Sequence, residues 1–314
     1  MELRQLRYFL KVADLGSISK AAVQLSIAQS AVSQQVSALE HGLRAKLFIR
    51  RSNGVELTEA GRLLYRHAQT ITRQVQSAED DVTTASGSPT GTVSVGLPTA
   101  VLHTLGMPLL GAVLARHPGI TLHVVDGVSA LLQEFALNGR LDMAVLFQRE
   151  SAKGLEVVPI LDEDLYYVAA ANAPWVQGLG DTISIEHASS HPLVVPGTGN
   201  GMRRVVEGAF AREGRRLVPI AELDSLRMLK ACAMRGIAGT FLPWSVVDEE
   251  AAAGALRVLR VRSDLFSRPV SLCTLDSRAM GMAAEAVYAI LQEQAVMLVS
   301  TGAWRGATLR ARPI

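Results

Sequence analysis

Apolar positions recur at helical spacing twice within residues 17–39. Ala21, Ala22 and Leu25 lie three and four apart, and Val32, Val36 and Leu39 repeat the pattern, so each stretch predicts a short helix with one apolar stripe. Ser26, Ile27 and Ala28 leave only enough chain between them for a sharp turn. Such a pair fits a helix-turn-helix, whose second helix can enter a DNA major groove. At about 100° per residue, Gln29, Ser30, Ser33, Gln34 and Ser37 fall on the side opposite the second stripe. Gln pairs with adenine through two hydrogen bonds, and Ser serves bases or phosphates. A solvated polar face would show the same residues, so the neighbouring segments decide.

Upstream, Leu6, Phe9, Leu10 and Ala13 give residues 2–15 one apolar face, with Gly16 as the stop. Downstream, Leu43, Leu47 and Phe48 continue the core, and residues 49–57 read as a hairpin turning at Asn53-Gly54. Arg50 and Arg51 at its base suit a wing that touches phosphates or the minor groove. Thr58 then caps a helix predicted to run to about residue 84. In it Leu64, Ala68, Ile71, Val75, Ala78 and Val82 step alternately by four and three residues, an a/d seam that needs a partner helix. Polar flanks at Arg62, Arg66, Gln69 and Arg73 favour a second copy over packing on the protein's own body.

Residues 87–91, Gly-Ser-Pro-Thr-Gly, read as a flexible joint. Beyond it, strands at 92–96, 120–126 and 141–147 alternate with helices at 101–116 and 129–138, which predicts a mostly parallel sheet flanked by helices. Strands at 155–160 and 165–170 follow without a helix between them, marking passage to a second lobe, and Asp162, Glu163 and Asp164 read as a solvated acidic turn. Strands at 193–195, 217–222, 237–242, 256–261 and 269–275 and helices at 201–213, 225–235 and 279–298 complete the pattern. The tail after Trp304, with Arg305, Arg310, Arg312 and Pro313, is expected to be poorly ordered.

Charge strengthens the reading of the helix pair. The net charge of the 314-residue chain is only +2, yet up to Thr58 eight basic side chains stand against four acidic ones, which is where attraction to phosphates requires them. The chain has room for two or three compact units, and 49% hydrophobic with 19% charged residues is the composition of a soluble globular protein. Cys232 and Cys273 are too few and too far apart for a disulfide framework or metal cluster and are expected to be buried, reduced thiols. The N-terminus lacks the apolar core of a signal peptide, and no apolar run is long enough to span a bilayer, so a cytoplasmic location without membrane contact is expected. G-x-S-x-G, Walker A, H-E-x-x-H and C-x-x-C are absent, and His103, His117, His123, His187 and His191 lack ligand spacing. An enzyme, a bound metal and a resident cofactor are therefore not expected; a transport binding protein is disfavoured by the basic helix pair.

From Leu3 to Gly61 the chain resembles LysR-type transcriptional regulators. An aromatic pair, an Ala-Ala helix, a Gln-x-x-x-Ser reading helix, Leu-Phe, and Leu-Thr-x-Ala-Gly occur in that family's order and spacing. The resemblance implies an α/β chain: a winged helix-turn-helix at 1–58, a dimerising linker helix at 59–87 and an effector-binding domain at 88–314. That domain would resemble type 2 periplasmic binding proteins, with lobe I at about 91–162 and 268–300 and lobe II at about 163–267. It further implies a transcriptional regulator whose promoter binding or activity is modulated by a small, anionic effector held between the lobes. Double-stranded DNA, the effector, RNA polymerase and a homodimer or homotetramer are the implied partners. Carried over by position, Gln29, Ser30, Ser33 and Gln34 face the DNA, with Arg50 and Arg51 near the wing. Ser30 stands where Pro is often found and Ala28 where a capping Thr or Ser is frequent. The Ile-Ala-Gln start and Ser-Gln-Gln centre of the reading helix are similar to some nitrogen-assimilation control regulators. For the effector, Thr99 and Ala100 stand at a helix start suited to a carboxylate. Thr198 and Gly199 lie in a glycine-rich loop before a helix carrying Met202, Arg203 and Arg204, although such a loop is more often a plain turn. Phe147 and Thr240 would complete the cleft, or be core.

Overall fold

A computed structural model describes residues 1–51, 54–84, 88–150, 154–276 and 280–310. Asn53 of the expected turn, Gly87 of the expected joint, Ala279, Arg312 and Pro313 lie outside the described residues. The chain opens with α1 (Leu3–Leu15), which ends on Gly16 at a φ of 59°, a left-handed conformation that glycine adopts without strain. Next, α2 (Ile18–Leu25) is capped by Ser17, whereas α3 (Gln29–Leu43) starts at Ala28 without a side-chain cap. Ala21 and Ala22 of α2 and Val32 and Val36 of α3 close with Val12 of α1 on one small core, so the apolar stripes do what their spacing predicts. A hairpin of β1 (Phe48–Arg51) and β2 (Gly54–Leu57) follows, then the long α4 (Glu59–Thr84). Leu64 and Ala68 of the expected seam pack on α1 and α3 of their own chain, so the seam does not run the whole helix. Further along, Val75 is half-buried, but Ile71 is 37% and Val82 77% exposed and Ala78 is exposed too, so these three seam positions are open.

The remainder comprises β3 (Gly91–Pro98), α5 (Thr99–Arg116), β4 (Ile120–Gly127), α6 (Ser129–Leu137), β5 (Met143–Leu146), β6 (Leu155–Ala170), β7 (Thr182–Ile183), α7 (Ile185–Ser189) and β8 (Val194–Val195). Then come α8 (Gly201–Arg212), β9 (Ala221–Glu222), α9 (Leu226–Met234), β10 (Thr240–Pro243), α10 (Asp248–Ala252), β11 (Leu256–Val261), β12 (Ser267–Leu275), α11 (Met282–Ser300) and β13 (Ala307–Leu309). The main sheet runs β4-β3-β5-β12-β6-β11-β7, with β10 and β13 also on β6. Only β3–β4, β3–β5 and β7–β11 are parallel within it, so the sheet is mixed rather than mostly parallel. The cause is the central strand: the chain leaves the first half on β6 and returns beside it, antiparallel, on β12.

What reads as two strands and an acidic turn is one 16-residue strand. Residues 155–164 of β6 pair with β12, and residues 165–170 pair with β10 and β11. Asp162, Glu163 and Asp164 sit in the middle of it, and Glu163 is only 1% exposed, so the solvated turn is corrected. One core gathers side chains between residues 165 and 266 together with Ala100; another gathers residues 93–161 and 270–304. Burial lifts the acid Asp164 above its ordinary pKa, partly offset by the Arg260 charge.

The tail is also ordered as far as Arg310. Trp304 is buried, β13 pairs with β6, and Arg310 Nε donates to Asp162 Oδ2 at 2.6 Å. Helices α5 and α11 are long and apolar enough to cross a bilayer, contrary to the expectation from the sequence. They are core helices: Leu105, Leu109 and Val113 of one and Val287, Leu291 and Ala295 of the other enter a single cluster on the sheet. Cys232 and Cys273 are both free; burial pushes the Cys273 thiol up to about 12.

Candidate DNA interface and ligand cleft

Four of the polar residues of α3, namely Gln29, Ser30, Gln34 and Ser37, are exposed, and Ser33 is half-buried. The opposite side of the helix, through Val32, Val36 and Leu39, is fixed in the core. A helix anchored on one stripe presents the other rigidly, which is what reading base edges demands. Both wing arginines are exposed, and strand alternation sends them to opposite faces of the hairpin. Arg51 Nε lies 3.4 Å from Glu56 Oε2, while Arg50 has no acidic partner among the described residues.

A clamp sets the angle between α3 and α4. Glu40 Oε1 accepts from the backbone N–H of Leu47 at 2.8 Å and of Phe48 at 3.3 Å, and Glu40 Oε2 accepts from Lys46 Nζ at 2.8 Å. On the other side, Thr58 Oγ1 donates to the Lys46 carbonyl at 2.6 Å and accepts from Gly61 N at 2.9 Å. Burial raises the Glu40 carboxyl, but Lys46 and the two backbone donors outweigh it and hold its pKa below the usual 4.5. A carboxylate with a depressed folded pKa stabilises above its unfolded pKa, and that contribution is lost as pH falls through the folded value. Between about pH 6 and about pH 3 the melting temperature of Glu40→Gln is therefore expected to fall less than that of the wild type. Parallel falls in a calorimetric series would show that Glu40 carries none of the acid sensitivity.

A cleft of about 690 Å³ opens beyond the ends of β3 and β5, with Arg268 of β12 on its wall. The first turns of four helices meet it: Thr99 and Ala100 of α5, Ser129 and Ala130 of α6, Gly201 and Met202 of α8, and Leu226 of α9. Helix N-termini carry unpaired N–H groups and partial positive charge, so four of them around one space make a field that favours an anion. Arg204 and Arg227 line the same space, and among the described residues neither has an acidic partner. Arg268 of β12 closes another side, with Cζ 3.5 Å above the centre of the Phe147 ring. It is 5% exposed, and both Nε and Nη2 donate to Glu163 Oε2, at 2.9 and 2.6 Å. Asp224 is the acid on the wall; its Oδ1 accepts from Gly197 N at 3.1 Å.

Of the residues expected to hold an effector, Thr99, Ala100, Phe147 and Gly199 line the cleft. Thr198 and Thr240 do not, and both are corrected. Thr198 is exposed in the turn before α8, and Thr240 is fully buried where β10 pairs with β6 opposite Val168. The Thr99 hydroxyl donates to Asp126 Oδ1 at 2.7 Å, so its proton is not free for an anion. Ser129 is the better donor: its buried Oγ has no partner among the described residues. Arg203 turns inward to Glu207 at 2.7 Å and Glu222 at 3.3 Å, leaving Arg204 to the cleft. Ser129, Arg227 and Arg268 are not among the residues expected from the sequence, and all three line the cleft. Ser129 and Arg227 carry a usable signal, since each stands in the first turn of a periodic helix. The rings of His187 and His191 lie 4.8 Å apart beside Trp175, and burial, then the neighbouring His187, lowers the His191 pKa. Among the described residues no group of three or more His, Cys, Asp and Glu side chains could hold a metal ion.

Two family profiles match the chain. "Bacterial regulatory helix-turn-helix protein, lysR family" covers residues 3–62, and "LysR substrate binding domain" covers residues 86–296. The chain is 34% identical over 292 residues to the nitrogen assimilation regulatory protein nac of Klebsiella aerogenes, covering 93% of this chain and 94% of that one. A full-length OxyR variant from Pseudomonas aeruginosa has the same fold, with a TM-score of 0.76 at 22% identity over 100% of this chain and 99% of that one. So does full-length CbnR in complex with its target DNA, with a TM-score of 0.67 at 24% identity over 94% of this chain and all of that one.

Proposed function

We infer that this chain, which belongs to the LysR family of bacterial helix-turn-helix transcriptional regulators, reads promoter DNA with the exposed face of α3 and changes that binding when a small anion fills the cleft. The family makes it a DNA-binding regulator with an effector-binding domain and not an enzyme. One observation carries the effector reading. Arg204 and Arg227 stand in the first turns of α8 and α9, the helix ends where a cation is disfavoured; both line the cleft, neither is ion-paired among the described residues, and Asp224, the acid on the wall, is bonded to Gly197 N. An anion between them relieves both.

The reading is tested by thermal shift of the full-length protein with acetate, succinate, citrate and phosphate. A ligand at about 100 times its Kd adds about 2.7 kcal/mol of stability, and Arg227→Ala and Ser129→Ala are each expected to abolish most of that gain. No stabilisation by any anion, or gains unchanged in both variants, would sink the effector reading. Gln29, Ser30, Ser33 and Gln34 are the proposed base-reading residues, with Arg50 and Arg51 on phosphates. Arg50→Ala is expected to lower the slope of log affinity against log salt by about 1. Arg51→Ala should lower it less, because Arg51 already shares its charge with Glu56. An unchanged slope in Arg50→Ala removes that side chain from the phosphates. The exposed seam positions Ile71, Ala78 and Val82 of α4 support pairing with a second copy, as a dimer or within a tetramer. RNA polymerase is the further partner proposed. Likeness to nac makes promoters beside nitrogen-utilisation genes the first DNA to try.

A further inference from the structure

Helix α6 reaches from the cleft to the linker helix. Its first residue, Ser129, lines the cleft with its unpartnered hydroxyl oxygen. Nine residues on, about 13 Å at 1.5 Å per residue, the turn that follows its last residue, Leu137, rests on α4. There Thr70 Oγ1 lies 3.5 Å from the Asn138 carbonyl oxygen, and Arg73 Nη2 donates to the Arg140 carbonyl at 2.6 Å. The fit is close enough to exclude a side chain: a Cβ on Gly139, whose φ is 66°, would lie 2.4 Å from Thr70 Oγ1. Arg73 also pairs with Asp142 at 3.5 Å, and Asp142 is tied to β3 by a bond from Ser94 N to its Oδ2 at 2.8 Å. The body of α6 is gripped through Leu132 and Ala136, in one core with Leu141 and with Leu146 of the cleft wall. On α4, just over a turn before Thr70, Tyr65 donates to Asp14 of α1, so the helix that receives α6 is bonded to the DNA-reading unit.

We propose that α6 is the rigid link through which the linker helix reads cleft occupancy. A ligand that draws on the start of α6 moves residues 138–142 against Thr70 and Arg73 and turns α4 against the body beneath it. This rests on the cleft being the effector site, and packed helices shift by about 1–2 Å in such transitions. Coupling between two ends of one element acts in both directions. It is therefore measurable on the full-length protein without a ligand, by hydrogen exchange with mass spectrometry. Arg73→Ala, at the linker end, is expected to raise exchange across residues 129–137 at least threefold. Ser129→Asp, which puts a fixed negative charge at the cleft end, is expected to change exchange in residues 66–76 of α4 by a similar factor. Arg73→Lys, which keeps the charge but not the fork, replaces Arg73→Ala should that chain unfold. Loosening confined to residues 138–142, or an α4 unmoved by Ser129→Asp, overturns the link. Since no anion is added, failure of the four anions to bind would sink the effector reading while leaving this result intact.

Discussion

Gly61→Ala is expected to destabilise the winged domain by about 2–4 kcal/mol and to abolish promoter binding near its melting temperature. Gly61 lies in the first turn of α4 against the Leu47 carbonyl, and a Cβ there would stand 2.1 Å from that oxygen and 3.0 Å from Leu57 Cδ2. The Leu57 side chain can turn aside, but the carbonyl cannot yield cheaply. Leu47 is buried, its N–H is held by Glu40, and its carbonyl accepts from Thr58 N at 3.0 Å. The added methyl must therefore move α4 away from the segment that joins α3 to β1, which changes how the reading helix is presented. Gly42→Ala is the control, because that helical glycine in α3 has nothing within 4 Å of a Cβ. There the same chemical change is expected to stabilise by about 0.5–1 kcal/mol. If the two variants melt alike and bind promoter DNA alike, the clamp between Glu40, Leu47, Thr58 and Gly61 does not set the geometry of the domain.

Local periodicity made the DNA-reading unit legible, because each of its helices buries a stripe against the next within a few dozen residues. Leu-Thr-x-Ala-Gly was visible as a motif, but the clash that requires its glycine depends on Leu47, fourteen residues earlier, and no spacing rule shows it. The centre of the effector domain was illegible for the same reason at longer range. Asp162, Glu163 and Asp164 look like a solvated turn because Arg268, which pairs with Glu163, and Arg310, which pairs with Asp162, lie more than a hundred residues away; the nearer Arg149 on Asp162 is itself exposed. Once those partners are present, three acids in a row can continue a strand. Thr240 shows the limit of alternation: period two places it on a face without saying whether that face is cleft or core. Arg227 carries a signal the sequence does show, since an arginine in a helix's first turn opposes the dipole and calls for a counter-charge.

Glu163→Ala is expected to cost the effector domain about 3–5 kcal/mol, because it leaves the Arg268 guanidinium buried without its carboxylate. The two residues face each other across β6 and β12, and the remaining Glu163 oxygen, Oε1, accepts from Trp304 Nε1 at 3.0 Å. The carboxylate thus joins the two strands that cross between the halves to the C-terminal segment. Removing both charges should cost less than removing one: Glu163→Leu with Arg268→Met loses the attraction but also the desolvation that opposes it. Urea midpoints followed by circular dichroism separate these cases, and a double variant no more stable than Glu163→Ala would show that packing, not charge, holds the joint. The wall position of Arg268 adds a second consequence. Released from Glu163, it becomes a free donor beside Phe147, so an anion that binds the cleft should stabilise Glu163→Ala more than it stabilises the wild type. Equal stabilisation would place the anion away from Arg268 and confine it to Ser129, Arg204 and Arg227.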